Sequence, residues 1–230
     1  MRAPVTCRLS LVFAAKAPVA VVLRRGPTRW VEVVKWNTDK DSFEDGQWLH
    51  GRIYGERCGL SPDGKLFVYF AAKHGMVDKS KGYKDTYTAV SKPPYLTALA
   101  MWPQGSTWGG GGRFINNKTL CLAYGANGTR ASDGKTELYM APAPTHHPDH
   151  PPRNLKIETD LDYYAADRGF RAPEESEEAD WVGKDHDGRK IFTRGGALFY
   201  VNKKRNKVML RDFNSDKWRD VVPPRWAQNW

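Results

Sequence analysis

The sequence predicts an all-β protein: one domain of about four small sheets, each made of short antiparallel strands. Three observations carry this. A phrase recurs in which a tight polar turn meets a basic residue and then a short apolar strand. It is seen at Ser61-Pro62-Asp63-Gly64-Lys65 before Leu66–Phe70, at Asn116-Asn117-Lys118 before Thr119–Tyr124, at Asp133-Gly134-Lys135 before Thr136–Met140, and at Asp187-Gly188-Arg189 before Lys190–Thr193. Asp-Gly and Asn-rich pairs tolerate the left-handed backbone that tight hairpin turns need. Helical periodicity is nearly absent, and most apolar runs are short and bounded by Gly, Pro, Asn or Asp. Aromatics are plentiful, with nine Trp, ten Tyr and nine Phe, and supply much of the packing volume that a chain of 230 residues needs.

Taken in order, strands are expected over residues 6–14, 18–24, 29–36, 48–54, 65–72, 86–90, 95–101, 113–115, 119–124, 136–141, 154–158, 180–183, 190–194, 197–201 and 207–212. Each has apolar or β-branched content between turn signals. Short helical pieces are expected only near Glu174–Ala179 and Ser215–Trp218. Ala141–Pro152 is dense in proline, which cannot donate to a strand ladder, so it reads as an exposed loop. The mixed-charge stretch of residues 160–180 reads as a second excursion.

The strands group into units. Residues 59–99, 111–158 and 181–213 each hold a turn, a core strand and further strands, at the length of one four-stranded blade. The N-terminal fifty residues make a fourth unit, closed by a strand from the C-terminus to remove its open edge. Leu60-Ser61-Pro62-Asp63-Gly64-Lys65 with its aromatic-rich strand resembles the repeat of TolB-type and WD40-like β-propellers, best over residues 60–70 and more loosely over 111–124 and 183–194. The resemblance implies a small propeller-like array of about four blades over residues 1–230. It implies no catalytic residue, because propellers host many unrelated functions. The late aromatic and proline residues, through Trp226 and Trp230, imply a tail that docks on the body and stitches the first and last units.

The net charge of +10 raises the expectation of an anionic partner, although the charges are dispersed. The densest basic run, Lys203-Lys204-Arg205-Asn206-Lys207, falls on a turn, and an acidic run at Glu174–Glu178 offsets it. Cys7, Cys58 and Cys121 are too few and too far apart for a disulfide framework or a metal knuckle. Cys7 and Cys121 sit in apolar strands and are expected to be buried thiols, in a reducing, cytoplasmic setting of bacterial type; secretion is the lesser alternative. No run approaches the ~18 apolar residues of a membrane helix.

The candidate binding residues are Trp48, His50, Arg52, Trp102, Gln104, Trp108 and Arg113. The first three alternate with period two and so share a strand face. The others end an apolar strand or border the Gly109–Gly112 run. Exposed tryptophans supply large contact area at little entropic cost, while the competing reading packs these rings in the core. The glycine run precedes a strand rather than the helix a phosphate loop requires. His146, His147, Asp149 and His150 have metal-ligand chemistry, but their proline-rich loop offers no rigid element to hold ligands. No cofactor is expected. His74 and His186 read as exposed, Asp63, Asp133 and Asp187 as turn residues, and Glu56 with Arg57 as a buried ion pair or an acid–base pair.

The expected function is a non-catalytic interaction module that presents an aromatic and basic face to another protein. Two alternatives stand beside it. One is a hydrolase or metal-dependent enzyme with a central-channel site, requiring His, Asp or Glu side chains converging there. The other is a nucleic-acid or glycan binder.

Overall fold

The computed structural model describes residues 7–26, 29–73, 85–105, 107, 109–123, 155–160 and 179–230. These residues form four sheets and no α-helix. Strands β1 (Arg8–Phe13), β2 (Val19–Arg25), β3 (Trp30–Asn37) and β4 (Ser42–His50) make the first sheet, an antiparallel meander. The second has β7 (Phe67–Ala72) at its centre. On one side β7 pairs with the short β5 (Arg52–Ile53) and β6 (Gly59–Leu60), and on the other the sheet continues through β8 (Thr86–Ser91) to β9 (Ala100–Pro103). The third contains β10 (Gly112–Asn116), β11 (Thr119–Ala123) and β12 (Lys156–Asp160), the last pairing parallel to β11. The fourth is a meander of β13 (Trp181–Lys184), β14 (Lys190–Arg194), β15 (Ala197–Val201) and β16 (Lys207–Asp212).

The turn chemistry explains the hairpins. Ser61 Oγ accepts from the amides of Lys65 and Leu66 at 3.1 and 2.9 Å and donates to Asp63 at 2.7 Å. Gly64 follows at φ +71°, which an L side chain rarely adopts. In the β13–β14 turn, Asp185 rather than Asp187 accepts the Arg189 amide, with Gly188 at φ +76°. Asn202 caps the β15–β16 turn, on which residues 203–207 are exposed as expected.

Three apolar clusters join the sheets face to face in the order fourth, first, second, third. β2 shows how one strand serves two layers. Val21 and Leu23 pack toward Phe67, Tyr69 and Met101 of the second sheet, while Ala20 and Val22 join Trp36 against Ile191, Leu198 and Phe213. Alternate residues of a strand point to opposite faces, and a sheet covered on both sides buries both sets. The far face of the second sheet supplies Val68, Val90 and Trp102 to a cluster with Leu120 and Leu122 of the third. Large aromatics fill much of this core: Trp36, Trp102, Tyr69, Phe67, Phe70 and Phe213 are among its biggest fully buried side chains.

Several expectations are corrected. The first sheet is complete from N-terminal strands alone, and no C-terminal strand joins it. The tail instead runs from the first sheet to the β8–β9 connection of the second without strand pairing: Gln47 donates to the Val221 carbonyl, Lys92 donates to the carbonyls of Trp226 and Asn229, and the Trp226 ring packs on Tyr95. The strand expected over 48–54 begins at Ser42 and breaks at Gly51; Phe43 is the one large apolar residue in 42–47, too few to show alternation. The strand expected over 95–101 spans only Ala100–Pro103, and Ser215–Trp218 is not helical. The turn and strand over 133–141, the excursion of residues 161–178 and the proline-rich loop lie outside the described residues. The described sheets form no closed ring.

Candidate functional site

The chain between β2 and β3 reads Arg24-Arg25-Gly26-Pro27-Thr28-Arg29-Trp30. Strand alternation sends the two adjacent arginines to opposite faces. Arg24 turns inward and is 4% exposed; its guanidinium donates to the carbonyls of Phe213 and Gly26 and lies 5.4 Å from the Trp48 ring centre. Arg25 turns outward to solvent. Its direct partner on β1 is Arg8, a like-charge pair that weakens the ladder.

Arg25 lines a cleft of about 270 Å³ together with Arg29, His50, Gly51 and Arg52. Gly51 bends the chain between the first and second sheets, which brings His50 from one and Arg52 from the other to the same opening. Arg52 is braced over the Tyr54 ring at 4.2 Å. Burial, then the charges of Arg52 and Arg8, lower the Arg25 pKa from its ordinary value. Arg8, Arg25, Arg29 and Arg52 make no ion pair among the described residues. By contrast, Arg189 is forked onto Asp41 at 2.8 and 2.9 Å and bound to Asp185 at 2.6 Å, and Arg211 joins Asp45 to Asp216. Those two side chains clamp the fourth sheet and tail to the first.

An aromatic row continues from the cleft. Trp30 is the cross-strand partner of His50, with ring centres 4.8 Å apart, and Trp218 of the tail lies 5.5 Å from Trp30. Trp218 is 55% exposed.

His50 and Arg52 are therefore together as expected, and the remaining candidates are not. Trp102 is 2% exposed and packs between the second and third sheets, so it is a core residue. Trp48 is half-buried on the first sheet under Arg24. Gln104 is bound to Thr88 at 3.1 Å, and Arg113 lies on β10 opposite Cys121. Trp108, His146, His147, Asp149 and His150 lie outside the described residues. Gly109–Gly112 serves packing: Gly111 donates to Thr88 at 2.8 Å, the Gly109 carbonyl accepts from Arg57, and β10 follows directly. Glu56 is exposed, so it makes no buried pair with Arg57. Arg8, Arg25, Arg29, Trp30 and Trp218 were not among the candidates. Their signal was the local Arg-Arg-Gly-Pro-Thr-Arg-Trp string, which reads as an ordinary strand end until Arg52 and Trp218 arrive from elsewhere.

A second polar group joins the first and fourth sheets. His186 is an exposed residue, as expected, although its side chain, 19% exposed, is largely covered by its partners. Its Nε2 lies 2.9 Å from Asp39 and 3.3 Å from Asp187, and its Nδ1 lies 2.8 Å from the Thr38 hydroxyl. One ligand atom from each of Asp39, His186 and Asp187 falls within 4.8 Å of the others, the spacing a cation would need. Both ring nitrogens already have partners, so the arrangement serves as a latch between two turns.

No helix among the described residues is long and apolar enough to cross a membrane. No family model, curated protein or solved structure matches this chain.

Proposed function

We propose that the protein is a non-catalytic interaction module, a propeller-like array of about four blades that engages an anionic partner through the arginine cleft. The serial face-to-face packing of four small sheets, in the order fourth, first, second, third, supports the blade reading. The observation that carries the functional reading is the clustering of Arg25, Arg29 and Arg52 in the cleft, with Arg8 beside Arg25 on the next strand and no ion pair to any of the four among the described residues, in a chain that pairs Arg189 and Arg211 fully. Like charges held together weaken a fold unless a ligand offsets them. The cleft lining holds three arginines, a histidine and a glycine; three cations around one imidazole, with no carboxylate in the lining to orient it, favour anion binding over acid–base chemistry. Carboxylates of an acidic protein segment and phosphates of a nucleic acid both fit the guanidinium fork.

Heparin-affinity elution tests this. The double variant Arg25→Glu/Arg52→Glu elutes at clearly lower salt than Lys203→Glu/Lys204→Glu, which changes the net charge equally at an exposed turn. Equal shifts for the two variants mean that net charge alone is read and the cleft is no site.

A further inference from the structure

We propose that the cleft binds single-stranded nucleic acid, with phosphates against Arg8, Arg25, Arg29 and Arg52 and bases stacked on the Trp30–Trp218 row. The inference rests on the reading of the cleft as an anion site and adds the ligand class. Single-strand binders combine a basic groove that follows the backbone with aromatic faces on which bases stack. Both parts are present and contiguous. His50 lines the cleft, its ring lies 4.8 Å from Trp30, and Trp30 lies 5.5 Å from Trp218. Trp218 is 55% exposed although it is held in this row. An acidic peptide would satisfy the arginines and leave the indoles without a use. A duplex keeps its bases stacked inside and cannot offer them to the indoles. Arginine also matches phosphate geometry in two-point contact, and none of these four is spent on a carboxylate among the described residues.

The experiment is fluorescence anisotropy of the full chain with a labelled oligothymidylate of about 16 nucleotides. A duplex of equal length and a polyglutamate peptide run in parallel. Three or four neutralised phosphates give a slope of log affinity against log salt of about −2 to −3. Arg25→Glu/Arg52→Glu weakens binding at least tenfold and flattens the slope by about 1.4. Trp218→Ala weakens it roughly five- to a hundredfold while leaving the slope unchanged, because stacking releases no counterions. All three substituted residues are exposed, and thermal melts verify that the variants fold. Oligothymidylate binding that ignores both variants overturns the proposal, as does duplex binding of equal strength. Polyglutamate binding that depends on the cleft, without oligothymidylate binding, overturns the nucleic-acid assignment and leaves the anion-site reading standing. Binding of neither probe overturns both.

Discussion

Glu32 is a carboxyl group in the protein interior, and replacing it by glutamine should make the protein more stable at alkaline pH. It sits on β3 at 1% exposure, paired across the sheet with Arg24 on β2 and with Trp48 on β4. Among the described residues, neither its Oε2 nor the Trp48 Nε1 has a hydrogen-bond partner. Burial is the largest influence on its acidity, and Asp216 of the tail and Asp45 of β4 add to it. Arg211 on β16 and Arg24 oppose them, but both guanidiniums are committed elsewhere. The result is a pKa pushed up from 4.5 to about 8. The native state therefore holds a proton that the unfolded chain releases between those two values. Stability falls as pH rises through that window and levels off above it. A gap of about 3.5 pH units at about 1.4 kcal/mol each gives a penalty of about 5 kcal/mol once Glu32 is ionised. Urea denaturation of wild type and Glu32→Gln from pH 5 to pH 9 reads the difference directly. The two curves should lie close together at pH 5, and the variant should gain several kcal/mol by pH 9. Parallel curves across the range would refute the reasoning, and so would a variant that loses stability at high pH.

Arg189→Ala should cost about 3 kcal/mol, because it leaves the buried carboxylate of Asp185 in the β13–β14 turn without its cation and opens the link to Asp41. Arg189→Lys should not restore the loss, since a lysine cannot reproduce the two-point contact; chemical denaturation reads both. Trp102→Ala should destabilise by about 3–5 kcal/mol while leaving heparin elution of the folded protein unchanged, the outcome for a core residue rather than a binding one. Gly64→Ala should cost about 2 kcal/mol in a thermal melt, because it forces a side chain into the left-handed region with its Cβ 2.7 Å from that of Val19.

Turns and strands were legible in the sequence because their causes are local. Asp, Asn, Ser and Gly satisfy a tight turn with their own side chains and backbone, as Ser61, Asp185 and Asn202 do. Period-two alternation likewise marks a strand wherever one face is buried. Legibility failed at β4, whose first half offers a single large apolar residue, Phe43, and at the tail, which binds through single hydrogen bonds rather than a ladder.

The sequence by itself determined an all-β chain divided into four sheet-forming segments, rich in aromatic packing and basic overall. Only the tertiary structure decided which aromatics are core and which arginines are spent. Trp102 and Trp218 look alike in sequence, yet one is sealed between two sheets and the other stands on the surface beside Trp30. Arg24 and Arg25 are neighbours, yet one donates to the tail and the other opens on a cleft. The physical reason is that burial and ion pairing depend on residues far apart in the chain. Gly51 must bend before Arg52 meets His50, and the tail must cross the first sheet before Trp218 reaches Trp30.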